Sequence, residues 1–269
     1  MSALIPPAIR YLGSKFLCAE WIISHFPPHR AYCEPCGGAA AVLLNKPRAE
    51  LETYNDLDGG IVNFFRVVRD HAPELTRRLN LSPWSREEFD GALEPSDDQI
   101  ESARRFYVRL NMSINGTMRR TAGCRMCKNP DDRRKNNAVL DDKLLRVAER
   151  LMGVQIEHRD ALRVIQSYDT PETLFYVDPP YLLETRKSGN GYTFEADSAW
   201  HARMFEALSA VRGMAIVSGY PSTLYAETYE AAGWRREDRQ ALTQRGMATE
   251  SIWISPRIQS LPIQEVLFA

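Results

Sequence analysis

Along most of the chain, short apolar runs bounded by Gly, Pro or Asp alternate with helix-like segments. The runs predict strands at 31–34, 51–54, 154–157, 174–177 and 214–218. Helices are expected between them, at 40–45, 60–70, 161–168, 198–211 and 222–232. Such an order implies a mainly parallel sheet with helices on both faces, an α/β fold. From 71 to 153 the alternation breaks: helical patterns at 85–93, 99–110 and 141–151 surround a polar, basic loop at 111–137. The expected organisation is therefore an α/β domain from 1–70 and 154–269 carrying a helical insertion at 71–153. At the end of the chain, strand-like 234–238 and 250–254 flank a turn-rich stretch at 243–247, which predicts a terminal β-hairpin.

Composition changes this picture little, but its distribution matters. The chain has 269 residues, 44% hydrophobic and 26% charged, enough to bury a full core without disulfides or metals. No apolar run approaches the length of a membrane span, and MSALIPPAIRYLGSK has two early prolines and no signal-peptide core. A cytoplasmic protein is expected, and five cysteines without a secretory signal read as reduced thiols. Lys and Arg (34) nearly balance Asp and Glu (35), a net charge of −1 that taken alone argues against a polyanionic partner. However, residues 103–137 hold ten basic side chains and two acidic ones, a local +8, which leaves −9 for the rest. A phosphate backbone requires local positive charge, so this stretch has the character of a nucleic-acid-facing insertion.

Two passages carry candidate chemistry. In AYCEPCGGAAAVLLNK, Gly37 and Gly38 stand where a strand hands over to the expected helix, letting a ligand approach the backbone there. Asp56, 22 residues after Glu34, ends the second strand, a common place for a carboxylate that holds a ribose hydroxyl pair. The passage is not GxGxxG, no GK[ST] loop exists, and the charge of Glu34 would repel a pyrophosphate. That combination favours a nucleoside with a cationic or amino-acid portion over a dinucleotide. In LFYVDPPYLLETR, an apolar strand runs into Asp178, Pro179, Pro180 and Tyr181. Consecutive prolines supply no N–H, so the carbonyls here are not consumed by a continuing ladder. A carboxylate, a free carbonyl and an aromatic ring at one strand end can hold a planar heterocycle bearing an exocyclic amine.

DPPY, the EPxxG passage, YNDLD and the opening Arg10-Tyr11-Leu12-Gly13-Ser14-Lys15 together resemble the Dam-like DNA adenine methyltransferases, including those of phages and prophages. The order of motifs is also that family's. The resemblance implies a Rossmann-like class I methyltransferase sheet with an inserted target-recognition subdomain. It further implies S-adenosylmethionine as methyl donor and double-stranded DNA as partner, with no obligate protein partner. Glu34, Pro35, Gly37 and Gly38 would form the cofactor loop, Asp56 would hold the ribose, and Asp160 would bind the cofactor adenine. Tyr11 and Lys15 would line the cofactor and target pocket, and Asp178, Pro179, Pro180 and Tyr181 would be catalytic. Where the family loop reads EPFxGxG, this chain has Cys36 for Phe and Ala40 for the last Gly.

The resemblance gives the insertion a role as well. A loop similar to Leu110-Asn111-x-x-x-Asn115-Gly116-x-x-Arg119 contacts DNA in the family. Arg119 is then expected at a guanine edge and Asn115 at an adenine or the backbone. Arg10 and Asn111 are also expected at the DNA, and Arg120, Arg125, Lys128, Arg133, Arg134 and Lys135 would contact phosphates. GATC-reading relatives carry aromatics between the two Asn positions, whereas Met112, Ser113 and Ile114 stand here, leaving Ile114 or Met118 as the wedge beside a flipped base.

Cys33-x-x-Cys36 and Cys124-x-x-Cys127 have zinc half-site spacing, but the first pair brackets the cofactor loop, so no metal is expected. Trp200, Trp234 and Trp253 fit apolar patterns and read as core. Two alternatives stay open: methyl transfer to another nucleobase amine (cytosine N4, or guanine in RNA), and a non-catalytic DNA-binding relative.

Overall fold

The structure, a computed structural model, describes residues 4–114, 116–125, 140–185, 194–243 and 246–260. Five parallel strands, β1 (Ala31–Glu34), β2 (Leu51–Asn55), β3 (Gln155–Glu157), β4 (Thr173–Val177) and β5 (Met214–Gly219), lie in the order β3-β2-β1-β4-β5. A terminal hairpin of β6 (Arg235–Thr243) and β7 (Gly246–Ile254) completes the sheet, with β7 antiparallel to β5. Each expected strand is present within a residue at either end, except that both hairpin strands extend inward to the turn.

The parallel strands form because both of their faces are covered. Along β4, Leu174 and Tyr176 enter one apolar cluster while Phe175 and Val177 enter the other. The period of two thus sorts one continuous apolar run into two cores. On the second face lie α6 (Ala161–Ser167) and α7 (Ser198–Ala210). The first face is covered by α2 (Gly59–Leu81), the helices packed on it, and α1 (Ala19–Ile23).

The helix α2 overruns its expected end. It starts with the Asp58 side chain accepting from Gly60 N, kinks at His71 (φ −139°) two residues before Pro73, and continues to Leu81. The boundary expected at 70/71 thus falls at a kink inside a helix. Beyond it, α4 (Gln99–Met112) and α5 (Leu140–Leu151) pack on α2, and α3 (Arg86–Gly91) packs on α4, so Phe89, Phe106, Leu110, Leu144 and Val147 share the core of the first face. A buried ion cluster ties α5 to the sheet: Glu52 receives Lys46 Nζ at 2.7 Å and Arg150 Nη1 at 2.6 Å.

Two expected helices change form. Residues 40–45 make turns rather than a helix, because Ala40 adopts φ +55°, and Asn45 is tied to Ile5 through both its side-chain atoms. The segment expected at 222–232 is one α turn, Thr223–Tyr225, running into a π turn, Ala226–Glu230. With β1 and β4 adjacent, the strand order reverses between them, so Glu34 and Asp178 emerge at the same switch point. The order 3-2-1-4-5-7-6 is that of the Rossmann-like class I methyltransferase sheet.

Candidate active site

At the carboxyl end of β1 the chain turns through Pro35, Cys36 and Gly37. Gly37 N donates to Asn55 O, and a Cβ at Gly37 would lie 2.2 Å from Tyr54 Cε2. Only glycine lets the loop lie flat on the Tyr54 ring, whose hydroxyl donates to Gly38 O at 2.8 Å. Gly38 has φ +47°, the left-handed region, and Ala40 at φ +55° holds a similar conformation with a side chain. The helix N-terminus expected after these glycines is not formed; the loop is held by side chains instead.

Asn55, which the sequence reading passed over, is the central tie. Its Nδ2 donates to Pro35 O and Arg159 O, and its Oδ1 accepts from Arg159 N, joining the ends of β1, β2 and β3. Its position inside YNDLD was the available signal. Asp56 next to it accepts from Gly38 N (2.8 Å) and Asp58 N (2.9 Å), and burial pushes its carboxyl up to about 6. Asp160 caps α6 with Oδ1 alone, accepting from Leu162 N and Arg163 N.

These ends enclose a cleft of about 990 Å³, its open mouth included, lined by Tyr11, Lys15, Glu34, Pro35, Gly37, Gly38, Asp56, Asp160, Asp178 and Pro180. Sequence positions far apart are thus brought to one site. Trp200, read as core from its pattern, packs against the second apolar cluster and also lines this cleft. Glu34 lies at its floor, accepting from the Tyr32 hydroxyl at 2.5 Å. Burial raises the Glu34 carboxyl to about 8, so at neutral pH it is mostly protonated and repels anions far less than its residue type suggested.

At the end of β4, Lys15 Nζ lies 3.0 Å from Asp178 Oδ2, 2.8 Å from Gly13 O and 4.6 Å over the Tyr181 ring. The other carboxylate oxygen, Asp178 Oδ1, is buried with no hydrogen-bond partner among the described residues. Burial raises the Asp178 carboxyl to about 6, against the pull of Lys15. Pro179 and Tyr181 are buried beside it. The Tyr181 ring is fixed by its hydroxyl donating to Glu250 Oε2 (2.9 Å) and by Tyr220 packed edge-on at 4.6 Å. Neither Glu250 nor Tyr220 was singled out from sequence; both reach the site only through the pairing of β5 with β7.

The expected DNA residues divide by placement. Residues 112–114 and 116–125 fold back on one another, with Ser113 bridged to Cys124 and Ile114 N donating to Gly123 O. Arg119 and Arg120 are exposed in this loop. Arg10 lies against it, its carbonyl 3.0 Å from where a Gly116 Cβ would stand, and Arg125 stacks 5.1 Å from the Trp84 ring. Asn111 is buried, its Nδ2 donating to Tyr107 O within its own helix. Of the two wedge candidates, Ile114 is 55% exposed, whereas Met118 packs against the core. Asn115, Lys128, Arg133, Arg134, Lys135 and Cys127 lie outside the described residues. Among the described residues no group of three or more His, Cys, Asp or Glu is arranged to hold a metal, and no helix is long and apolar enough to cross a membrane.

No individual curated protein matches the chain. Its sequence does match, over residues 11–239, a family described as D12 class N6 adenine-specific DNA methyltransferase. That match spans most of the chain and both parts of the site, and the chain belongs to this family of S-adenosylmethionine-dependent DNA adenine methyltransferases.

Proposed function

We propose that the protein methylates adenine N6 in duplex DNA, holding S-adenosylmethionine in the cleft between the Tyr11 to Lys15 segment and the loop after β1. The target base is flipped out of the helix to reach Asp178 and Tyr181. The residues fit the cofactor. Two carboxyls, Glu34 and Asp56, line the cleft with the charge-accepting capacity a cationic nucleoside needs. When bound, the cofactor supplies an electrophilic methyl group on a sulfonium.

The observation that carries the reading is Asp178 Oδ1, buried at the switch point with no hydrogen-bond partner among the described residues. An adenine amine is a poor nucleophile because its lone pair is delocalised into the ring. Oδ1 accepts one of its N–H groups, and a carbonyl of the proline pair accepts the other, which favours a pyramidal nitrogen with its lone pair directed at the methyl. Lys15 holds Oδ2, so the carboxylate cannot rotate away, and Glu250 holds Tyr181 as a fixed ring beside the base. Rate enhancement then comes from positioning and electrostatics. Flipping a stacked base costs a few kcal/mol, which the contacts of the 112–125 loop offset.

The test is methyl transfer from labelled donor to duplex DNA followed by nucleoside analysis. N6-methyladenine is expected; label in N4-methylcytosine, in RNA, or in neither nucleic acid overturns the reading. Asp178→Ala is expected to lower the rate by roughly a hundredfold or more while cofactor affinity stays within about a factor of three.

A further inference from the structure

His201 sits on α7 behind the DPPY segment, 1% exposed. Both ring nitrogens are engaged: Nε2 lies 3.1 Å from the Pro180 carbonyl oxygen and Nδ1 lies 3.0 Å from the Tyr225 hydroxyl. A carbonyl only accepts, so Nε2 carries the proton. In the neutral ring Nδ1 then accepts from Tyr225. Tyr225 is itself immobile. It packs edge-on against Trp253 at 4.7 Å, and its ring fills the space that a Cβ at Gly219 would need, 2.7 Å away. A chain of contacts therefore runs from the strand β7, through Tyr225 and His201, to the backbone of the tetrapeptide.

The segment needs such a tie. Pro179 and Pro180 donate nothing to a ladder, so the β4 register ends before them and their carbonyls are oriented by side chains or not at all. We propose that His201 is a positioning residue for methyl transfer: its Nε2–H fixes the Pro180 carbonyl and, through the intervening peptide, the Pro179 carbonyl and Asp178 that face the target amine. This rests on the reading of Asp178 to Tyr181 as the catalytic element. His201 itself touches neither substrate nor cofactor, and its effect on rate passes through geometry, where misplacement of about 1 Å costs up to about a hundredfold.

Two amide replacements separate positioning from packing. In His201→Gln the amide nitrogen reaches the level of Nε2 and keeps a donor for Pro180. In His201→Asn it stops at the level of Nδ1 and leaves Pro180 without one. Single-turnover methyl transfer at saturating DNA and cofactor, normalised to folded protein by circular dichroism, is expected to fall about tenfold or more in the Asn variant. The Gln variant is expected to recover to within about threefold of the parent, and cofactor affinity to hold within about twofold in both. Equal losses in Asn and Gln, or a loss that disappears on normalisation, overturn the proposal. Should His201→Asn not fold, Tyr225→Phe decides: a fewfold lower normalised rate at unchanged cofactor affinity supports the tie, and an unchanged rate overturns it. Asp178→Asn runs alongside; if it keeps full rate, the reading of the tetrapeptide fails, whereas a dead Asp178→Asn beside a fully active His201→Asn sinks only the role of His201.

Discussion

Glu34 changes meaning between sequence and structure. By residue type it is an anion at neutral pH; buried beneath the cleft and bonded to Tyr32, its carboxyl is raised to about 8. Asp56, on the same cleft, is raised to about 6. Below these values the free protein carries protons there. A cationic ligand favours the ionised carboxylate, so binding of S-adenosylmethionine lowers both values and releases protons. By linkage, affinity rises as pH increases toward about 8, up to about tenfold per unit where one proton is released, and flattens above. Isothermal titration between pH 6 and 9, in buffers of different ionisation enthalpy, reads both the slope and the protons. The expected contrast is with S-adenosylhomocysteine, which lacks the sulfonium charge and gives a shallower slope. Affinity for the cofactor that is independent of pH, with no proton release, contradicts this account. Glu34→Gln is expected to flatten the upper part of the slope.

At the scale of elements, the chain shows which structures follow from local pattern. The strands β4 and β5 were legible because a strand buried on both faces is apolar along most of its length, whereas β1 and β2, which carry buried Glu34, Glu52 and Asn55, were legible mainly through the local turns that bound them. The run Ala39 to Leu44 has equally good local helix propensity, yet Ala40 at φ +55° and the Asn45 to Ile5 bonds, both tertiary matters, keep it out of a helix. Most cleft residues of the motifs, Glu34, Asp56, Asp160 and Asp178, were legible because each sits at or just beyond a strand end, whereas Tyr11 and Lys15 rested on the opening motif. Asn55, His201, Tyr220 and Glu250 were not legible, because their partners lie on other strands and helices and leave no periodic trace. Arg109 belongs with them. Counted in sequence as one charge of a basic stretch, it is 1% exposed, stacks 3.6 Å from the Phe89 ring, and donates to Phe89 O (3.0 Å) and Arg119 O (2.6 Å). Its fork closes the 112–125 loop from inside. Arg109→Met keeps the bulk but leaves those carbonyls unsatisfied, for a stability loss of about 1–3 kcal/mol. DNA affinity is expected to fall about tenfold or more as Arg119 loses its fixed place, with cofactor affinity unchanged. Chemical denaturation, DNA titration and cofactor titration on one preparation check it; a loss of cofactor affinity in step with DNA affinity would mean general unfolding instead.

Over the whole molecule, the net charge of −1 averages an acidic body with a +8 stretch, but the structure shows that the stretch does not present all of its charge. Arg104 is held by Glu88 (2.7 Å) and Glu101 (2.8 Å), and Arg105 by Glu101 (2.8 Å) and the carbonyls of Glu94 and Pro95. Arg109 is spent inside the loop. Among the described residues of the loop, Arg119 and Arg120 are the exposed basic side chains, while Arg125, and Arg10 beside the loop, are half-buried. Each phosphate neutralised contributes about −0.9 to the slope of log affinity against log salt, so the slope counts the charges that face DNA. Arg120→Gln is therefore expected to make the slope shallower by about 1, weakening binding alike on all sequences, while Arg105→Gln leaves the slope unchanged. Titrating duplex DNA between about 50 and 200 mM salt separates the two. If both variants shift the slope equally, the ion pairs of α4 open on binding and the whole basic stretch faces DNA; if neither does, the DNA lies on another face of the protein.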